Sequence, residues 1–431
     1  MICDNISVND KGNLTFAGFD TVELAEKYGT PLYLMDENKI REHIRNYKNA
    51  MEKYFPKGSV PEYASKAFCV KQIYRILAEE GIHADAVSCG EIYTAFSAGF
   101  PMENCFFHGN NKTDEDIAFA IDKGVGMFII DNTEEIFAIN SIAKEKGIIQ
   151  NVLLRVTPGI DPHTHKKIST GSVESKFGIA IETGQAIKAV GDILECENLS
   201  LKGFHCHIGS QIFDSSPFIT AAEIMFSFIA DVKNIFGYTA EMLNLGGGFG
   251  VRYIESDPEI DYGEKIAEVS SVLEEKCQKY CIPVPKIIME PGRSLVADAG
   301  MTLYTVGSVK EIKGYKNYVS IDGGMTDNPR FALYESKYTV EVANKANFEK
   351  KYTATIAGRC CESGDIIAED AELPEVEKGD IIAVLTTGAY NYSMASNYNR
   401  VPRPPVVMLK DNEDYVAVKR ETLEDICALD I

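Results

Sequence analysis

The segment Val60-Pro-Glu-Tyr-Ala-Ser-Lys-Ala67, with the residues that follow it as far as Ser88, contains one complete strand–helix–strand unit. Residues 62–67 form a short strand-like run that ends near Lys66, and residues 84–88 form a second run. Between them, Lys71–Glu80 carries apolar side chains three or four positions apart, which predicts an amphipathic helix. A helix between two strands predicts that the strands are parallel.

The same alternation continues along the chain. Further strand-like runs fall at residues 105–108, 127–131, 152–156, 203–208, 243–247 and 287–290, and most intervals between them have helical periodicity. Eight such units over roughly 250 residues match a (β/α)8 barrel, with a doubly wound open sheet as the alternative. We therefore predict an α/β fold with a TIM barrel at residues 31–294.

The pattern changes beyond about residue 294. Short β-branched or aromatic runs at residues 302–312, 318–321, 338–342, 352–357 and 381–385 are separated by glycine, proline and charged turns. Residues 1–30 also contain short β-prone pieces. A chain of 431 residues is too long for one ordinary core. We expect a second, mostly β domain made of residues 1–30 and 295–431.

Composition excludes several classes of partner. The formal charge of −21 disfavours nucleic acid and anionic membranes, although local arginines can still bind a small anion. The N-terminal residues lack the features of an export signal, and no apolar run is long enough to span a membrane, so we expect a cytoplasmic protein. The eleven cysteines include no paired Cys-x-x-Cys motifs, and we expect no metal site.

In such a barrel, functional residues gather at the C-terminal ends of the strands. The polar residues and loops predicted there are Lys66, Asp85, Ser88, Arg155, His205-Cys-His-Ile-Gly-Ser-Gln211, Gly246-Gly-Gly-Phe-Gly250 and Glu290-Pro-Gly-Arg-Ser294. Each of these residues and loops has an ordinary structural explanation as well as a functional one. The prediction of a functional site therefore depends on all of them occurring together.

Three of these features together indicate a cofactor. A desolvated Lys66 would be a nucleophilic amine, as a Schiff-base lysine must be. The glycines at 246–250 would let backbone amides approach an anion, or would simply form a tight turn. Glu290 would pair with Arg293, or would hold a proton on a heteroaromatic nitrogen, and His207 would be a core residue or would stack on a planar ring. Lysine, anion loop and buried carboxylate together describe pyridoxal 5′-phosphate.

Ordered motifs also resemble a known family. They are Tyr63-Ala-Ser-Lys66, His205-Cys-His-Ile-Gly-Ser-Gln211, Gly246–Gly250, Glu290-Pro-Gly-Arg293 and Cys361-Glu-Ser-Gly-Asp365. Together they resemble the pyridoxal-phosphate decarboxylases of the alanine-racemase fold. The segments from Arg155 to Ser169, Ser175-Lys-Phe-Gly178, His108-Gly-Asn-Asn-Lys112 and Tyr392-Ser-Met-Ala-Ser-Asn-Tyr398 resemble the branch that acts on meso-2,6-diaminopimelate.

The resemblance implies a head-to-tail homodimer with shared active sites, an amino-acid substrate and a set of residue roles. Lys66 matches the lysine that carries the cofactor, His207 the residue that stacks on its ring, and Glu290 the partner of the ring nitrogen. Other positions of the cofactor pocket are Asp85, Ser210, Gly247, Gly248, Gly292, Arg293 and Tyr390. Arg293, Arg330, Tyr334, Glu362 and Tyr390 match substrate-binding positions. Cys361, from the partner chain, matches the proton donor.

The expected reaction is decarboxylation of meso-2,6-diaminopimelate to L-lysine and CO2. Glu362 would complement the distal amine of the substrate, and Arg330 would complement its distal carboxylate. Decarboxylation of lysine or ornithine, which lack that carboxylate, is the nearest alternative, and an amino-acid racemase on the same fold is a more distant one. The chain departs from the family pattern at Phe68, Cys89, Phe331 and the pair Arg359-Cys360, but no departure removes a catalytic group.

Overall fold

A computed structural model describes residues 2–160 and 174–431. Its strands, in chain order, are β1 (Ile6–Val8), β2 (Leu14–Phe16), β3 (Phe19–Asp20), β4 (Leu32–Asp36), β5 (Val60–Tyr63), β6 (His83–Ala86), β7 (Cys105–Phe107), β8 (Met127–Ile130), β9 (Gln150–Thr157), β10 (Ile179–Ala180), β11 (Leu199–His205), β12 (Met242–Asn244), β13 (Lys286–Met289), β14 (Gly300–Ile312), β15 (Lys316–Ile321), β16 (Val340–Val342), β17 (Tyr352–Ala357), β18 (Ile366–Leu373), β19 (Ile381–Leu385), β20 (Val406–Lys410) and β21 (Glu413–Val418).

The α-helices, in chain order, are α1 (Thr21–Tyr28), α2 (Glu37–Tyr54), α3 (Lys71–Glu80), α4 (Cys89–Ala98), α5 (Asp114–Asp122), α6 (Thr133–Lys146), α7 (Gln185–Glu195), α8 (Ser216–Phe236), α9 (Tyr262–Tyr280), α10 (Arg293–Val296), α11 (Arg330–Tyr334) and α12 (Leu423–Cys427). The chain divides into two compact units. Unit 1 contains Met1–Glu42, Val251–Glu259 and Arg293–Ile431, and unit 2 contains His43–Gly250 and Ile260–Gly292.

Unit 2 is a closed parallel barrel. Its strand order is β5-β6-β7-β8-β9-β11-β12-β13, and pairing of β13 with β5 closes the ring. Strand β8 shows why these segments become barrel strands: its four residues, Met-Phe-Ile-Ile, are all buried, as expected for parallel strands covered on both faces. Helix α3 buries Ile73, Tyr74 and Leu77 at the predicted spacing and ends at Gly81, which has left-handed backbone angles. The closed ring confirms the predicted barrel and rules out the open sheet.

Unit 1 is mostly β. Its large sheet runs in the order β18-β17-β15-β14-β4-β20-β21, with β19 pairing with both β14 and β16. Leu14 and Phe16 of the N-terminal hairpin share one core with Leu303, Leu385 and Leu409. The N-terminal segment therefore packs with the C-terminal β structure.

Two boundaries differ from the sequence prediction. The prediction begins the barrel domain at residue 31, whereas β4 pairs antiparallel with β14 and parallel with β20 in the sheet of unit 1. The predicted first barrel strand extended to Ala67, whereas β5 ends at Tyr63 and Ser65–Ala67 form a turn of 3-10 helix. Strand β18 was missed because its exposed Glu369 and Asp370 interrupt the apolar pattern at the end of the sheet.

Among the described helices, none is long and apolar enough to cross a membrane.

Candidate active site

The turn that carries Lys66 is held by β6, the barrel strand that pairs with β5. The Ser65 backbone N–H donates to Oδ1 of Asp85 at 2.6 Å, and the Ser65 hydroxyl donates to the Asp85 carbonyl at 2.6 Å. Burial and the nearby Glu91 raise the pKa of Asp85 well above its usual range, while the charge of Lys66 acts in the opposite direction. Asp85 therefore positions the segment on which Lys66 lies.

Lys66 itself differs from the prediction in one respect. It is exposed, although Ser65 and Ala67 on either side are buried. The surrounding side chains therefore do not remove Lys66 from water, although the sequence predicts a desolvated amine.

The loops after β11 and β12 are joined, as the C-terminal ends of adjacent parallel strands should be. Ile212 N–H donates to the Gly248 carbonyl at 2.9 Å, and Gly250 N–H donates to the Ile212 carbonyl at 2.9 Å. Gly247 N–H donates to Nδ1 of His207 at 3.3 Å. Because Nδ1 accepts, the imidazole carries its proton on Nε2. Burial, with a contribution from the charge of Lys66, lowers the pKa of His207 well below its usual value.

Glycine is required where these loops approach other backbone. A Cβ at Gly247 would lie 1.9 Å from the Glu290 carbonyl oxygen, and a Cβ at Gly248 would lie 2.3 Å from the Gly209 carbonyl oxygen. Gly292 meets Ala64 in the same way, since its Cβ would lie 2.7 Å from that of Ala64. The predicted loops are thus packed backbone against backbone around the end of the barrel.

The carboxylate of Glu290 lies in a buried polar cluster that links several strands of the barrel. Its Oε1 is 2.9 Å from Nε2 of His205 and 2.8 Å from Nδ2 of Asn244. A second carboxyl, that of Glu62, is 3.1 Å from the same Asn244 nitrogen and 3.0 Å from Nε2 of His108. All four partners are buried. The prediction that Glu290 would be too costly to bury without a partner holds, and the partners in unit 2 are imidazoles and an amide.

The two carboxyl groups differ in charge. Burial would raise the pKa of Glu290, but the imidazoles of His205 and His108 outweigh burial and hold it well below its usual range. Burial and the charge of Glu290 raise the pKa of Glu62 well above its usual range. Burial also lowers the pKa of His108 well below its usual value, so that imidazole is neutral. Of the two carboxyl groups, Glu290 is therefore the one favoured to carry the negative charge.

His108, His205 and Glu290 also lie close enough together to be considered as metal ligands. The orientation of Asn244 argues against a cation there. Gly246 N–H donates to Asn244 Oδ1 at 2.8 Å, so the amide turns its N–H groups, rather than its oxygen, toward both carboxyl groups. Amide donors repel a cation and stabilise carboxyl oxygens.

Unit 1 brings together four of the predicted substrate and cofactor residues. The guanidinium of Arg293 lies 4.8 Å from the centroid of the Tyr390 ring, and that of Arg330 lies 5.1 Å from the same centroid. Arg330 also stacks 5.2 Å from the ring of Tyr334. Arg293 donates from Nη1 to the hydroxyl of Tyr253 at 2.7 Å. Both arginines are buried, so the set forms a positively charged, aromatic-lined cluster.

Cys361 and Glu362 lie elsewhere in unit 1, on the loop between β17 and β18, and both are exposed. Cys361 N–H donates to Oδ1 of Asn399 at 2.8 Å. The carboxylate of Asp365 fixes the loop by accepting from Cys360 N–H at 2.7 Å and from Met325 N–H at 2.6 Å. The motif therefore presents Cys361 and Glu362 outward from a held backbone.

The residues of unit 2 fit pyridoxal 5′-phosphate. Glu290 is a buried, ionised carboxylate with fixed donors, which suits the protonated nitrogen of a pyridine ring. The glycines at 247 and 248 lie where the loop packs too closely against other backbone for a Cβ, and a glycine loop at the end of a barrel strand suits an anion. Lys66 supplies an exposed amine on a turn held by Asp85. Ser210, on the loop after β11, is half-buried.

Four residues of this polar cluster have no role predicted from the sequence: Glu62, His108, His205 and Asn244. Glu62 and Asn244 are separated by 182 residues, and no local pattern relates them. One signal for Glu62 was available in the sequence. It is the charged residue of a four-residue strand whose other side chains are apolar, and such a strand is covered on both faces. The diaminopimelate-like segment from Arg155 to Ser169 lies outside the described residues from position 161 onward.

Comparison with known proteins defines the class. The family described as "Pyridoxal-dependent decarboxylase, pyridoxal binding domain" matches residues 37–297. That range includes the turn of Lys66, the glycine loop and Glu290. The barrel is therefore that of the pyridoxal-dependent decarboxylases.

Relatives along the whole chain are more specific. A diaminopimelate decarboxylase of Bacillus subtilis (strain 168) is 47% identical over 423 residues, covering 98% of this chain and 96% of the relative. One from Staphylococcus aureus (strain COL) is 44% identical, covering 98% of both chains. The crystal structure of diaminopimelate decarboxylase from M. jannaschii in complex with L-lysine is 38% identical, with a TM-score of 0.91, and covers 100% of this chain and 98% of that one. The chain belongs to the diaminopimelate decarboxylase family, which confirms the resemblance inferred from its motifs.

A lysine/ornithine decarboxylase from Vibrio vulnificus, complexed with putrescine, has a TM-score of 0.77 at 23% identity, covering 94% of this chain and 99% of that one. At this identity the likeness shows the fold alone. It does not favour the simpler diamino acids as substrates.

Proposed function

We propose that this protein uses pyridoxal 5′-phosphate to decarboxylate meso-2,6-diaminopimelate, forming L-lysine and CO2 in the last step of lysine biosynthesis. The observation that carries the proposal is the pair of buried arginines, Arg293 and Arg330, which both lie about 5 Å from the centroid of the Tyr390 ring. A simple diamino acid has no distal carboxylate for such a pair. The relatives along nearly the whole chain support the same substrate.

The residues of unit 2 would hold the cofactor. Lys66 would bind it covalently, Glu290 would face the ring nitrogen, and His207 would stack on the ring. The backbone of Gly247, Gly248 and Gly292, with Ser210, would surround the phosphate. Arg293 and Tyr390, which belong to unit 1, match further cofactor positions through the family resemblance alone. Asp85 acts indirectly, because it holds the turn of Lys66. When bound, pyridoxal phosphate withdraws electrons from the substrate α carbon and so makes loss of CO2 feasible.

His207 is suited to its role by its own hydrogen bond. Gly247 N–H fixes the ring through Nδ1, and the low pKa keeps the imidazole neutral. A neutral ring packs against an electron-poor heterocycle without adding a second positive charge beside Lys66.

Substrate recognition falls to unit 1. Arg330 offers a planar fork to a carboxylate, and stacking on Tyr334 and Tyr390 restricts its orientation. Glu362 would bind the distal amine. Cys361 would return a proton to the α carbon, since a thiol can transfer a proton near neutral pH. Exposure of both residues on a held loop suits delivery to another chain.

We also infer a homodimer in which Cys361 and Glu362 of one chain complete the site of its partner, and a cytoplasmic location. The homodimer is inferred from the family resemblance, and the location from the N-terminal residues and the lack of a membrane-length apolar run in the sequence. Mixing two inactive variants, Lys66→Ala and Cys361→Ala, tests the shared site. Heterodimers would regain activity at the one site that has both wild-type residues, up to about a quarter of wild-type activity at statistical mixing. No recovery in mixed, verified heterodimers would contradict sharing.

The reaction is tested by measuring CO2 release and the chirality of the product on the purified protein. Diaminopimelate should release CO2 and give L-lysine, whereas a racemase would change chirality without CO2. Equal turnover of lysine and diaminopimelate would contradict the substrate assignment. Borohydride reduction of the yellow protein should fix the cofactor on Lys66, and peptide mapping that finds it elsewhere would overturn the role of Lys66.

A further inference from the structure

Glu62 lies in the middle of β5 and is fully buried, yet it belongs to none of the groups assigned above to cofactor or substrate. Burial of a carboxyl group costs free energy of folding, because its lost contacts with water must be replaced by hydrogen bonds. Its two oxygens have different partners: Oε1 lies 3.0 Å from Nε2 of His108, and Oε2 lies 3.1 Å from Nδ2 of Asn244.

Asn244 links Glu62 to Glu290. Its amide nitrogen has two N–H groups, one directed to Oε2 of Glu62 at 3.1 Å and one to Oε1 of Glu290 at 2.8 Å. Gly246 N–H fixes the amide in this orientation by donating to Oδ1 at 2.8 Å. The same side chain therefore serves both carboxyl groups and cannot favour one strongly over the other.

The remaining donors distinguish the two carboxyl groups. Glu290 has His205 Nε2 at 2.9 Å in addition to the amide. Glu62 has only His108, whose Nε2 lies 3.0 Å from Glu62 and 3.5 Å from Glu290. The arrangement is satisfied when Oε1 of Glu62 bears a proton and donates it to a neutral His108, while Oε2 accepts from Asn244. Two adjacent buried carboxyl groups avoid a double negative charge in this way.

We propose that Glu62 is a positioning residue: as a neutral acid it holds Asn244 and His108 in place, so that the single negative charge of the cluster resides on Glu290. The inference rests on the proposed role of Glu290 toward the ring nitrogen of the cofactor. The protonated state of Glu62 belongs to the protein alone, however, and is measurable without cofactor or substrate.

The charges that face Glu62 favour the neutral acid. Glu290 and Asp85 both face it from adjacent parts of the barrel and disfavour ionisation, in addition to burial itself. Arg155 faces His108 and Glu290 rather than Glu62. Glu62 is therefore surrounded by acids and neutral imidazoles, while Glu290 receives the stabilising contacts.

Infrared difference spectroscopy in heavy water tests the protonation of Glu62 directly. The wild-type spectrum minus that of Glu62→Gln, both as apoprotein at pH 7, should show a protonated-carboxyl band. Glutamine is the matched variant because its N–H can donate to His108 and its oxygen can accept from Asn244. Glu80, which is buried and paired with Arg45 at 2.7 Å, provides the control: Glu80→Gln should remove an ionised-carboxylate band instead. A carboxylate band for Glu62 would overturn the proposal.

The positioning role is tested by comparing Glu62→Gln with Glu62→Met, which has similar length but no hydrogen bonds. Glutamine should keep kcat within about threefold of wild type, while methionine should lower kcat roughly tenfold or more with little change in KM. The affinity for pyridoxal 5′-phosphate, measured by fluorescence quenching, should fall in the methionine variant and recover in the glutamine variant. Equal behaviour of two folded variants would overturn the positioning role.

The two sets of results separate this inference from the proposed function. If diaminopimelate is not the substrate, the infrared band and the cofactor affinities are unaffected. If Glu62→Met does not fold, as judged by circular dichroism, the infrared comparison with Glu62→Gln still decides whether Glu62 is a neutral acid.

Discussion

Substitution of Gly247 by alanine should weaken cofactor binding, and the structure indicates by how much. The added Cβ would lie 1.9 Å from the carbonyl oxygen of Glu290 and 2.8 Å from the carbonyl carbon. Because ordinary contact begins at 3.4 Å, the two backbone segments must separate by about 1.5 Å (3.4 − 1.9). Neither segment moves easily, since Glu290 N–H donates to the Gly246 carbonyl at 2.8 Å.

A separation of this size would carry the Glu290 carboxylate beyond hydrogen-bonding distance of Asn244, which is now 2.8 Å. The same displacement would move Glu290 away from the ring nitrogen that it is proposed to face, and loss of a hydrogen bond to a charged group costs about 1.5–3 kcal/mol. Since 1.4 kcal/mol corresponds to a factor of ten, the affinity for pyridoxal 5′-phosphate should fall about tenfold to a hundredfold. Overpacking would cost a further 1–3 kcal/mol or so of stability.

The assay is titration of apoprotein with pyridoxal 5′-phosphate, followed by fluorescence quenching and by the yellow colour of the complex. Gly90→Ala is the matched control. Gly90 lies in α4, and a Cβ there would meet only Ser88 Oγ, at 3.6 Å. That variant should bind the cofactor as the wild type does. If Gly247→Ala also bound within twofold of wild type, the assignment of the glycine loop to the cofactor would be refuted.

Three further outcomes are expected. Cys361→Ala should keep the cofactor absorbance but lower turnover by orders of magnitude, and an unchanged rate would remove the thiol from the reaction. Arg330→Lys should raise KM for diaminopimelate roughly tenfold or more, because the fork and its ring stacking are lost, whereas the exposed Arg75→Lys should have no effect. Burial lowers the pKa of His83 from 6.5 to about 4. Between these pH values the folded state binds fewer protons than the unfolded state, so the protein loses stability as pH falls through this range. His83→Phe, which keeps the ring beside Phe106, should reduce that loss by up to about 3 kcal/mol in urea titrations at pH 7 and pH 4, and an unchanged pH dependence would contradict it.

Much of the fold follows from local pattern. Helix α3 has the predicted ends, and all eight barrel strands overlap the predicted runs, because apolar periodicity and buried β-branched runs are properties of neighbouring residues. The same holds for the motifs at the ends of the strands. Parallel pairing brings those ends to one edge, so a linear list of strand-end residues already outlines a site.

Pairing partners and strand ends were decided only by tertiary structure. Strand β4 falls within the predicted barrel domain, residues 31–294, yet it pairs with β14 and β20, which are distant along the chain. Lys66 lies on a turn rather than a strand, because Asp85 of β6 accepts from Ser65 and folds the segment back. The order of apolar and polar residues within one segment contains no information about its contacts with segments that are distant along the chain.

The order of strands and motifs along the chain is enough to predict that a lysine, a glycine loop and a buried carboxylate lie at one end of the barrel, since each follows a strand of that barrel. Which of two buried acids would carry the charge was decided by the folded structure. Glu62 and Glu290 are the same residue type on adjacent strands, and they differ because one faces the His205 imidazole and the other does not. Ionisation of a buried group depends on its donors in space, and those come from strands that only the closed barrel brings together.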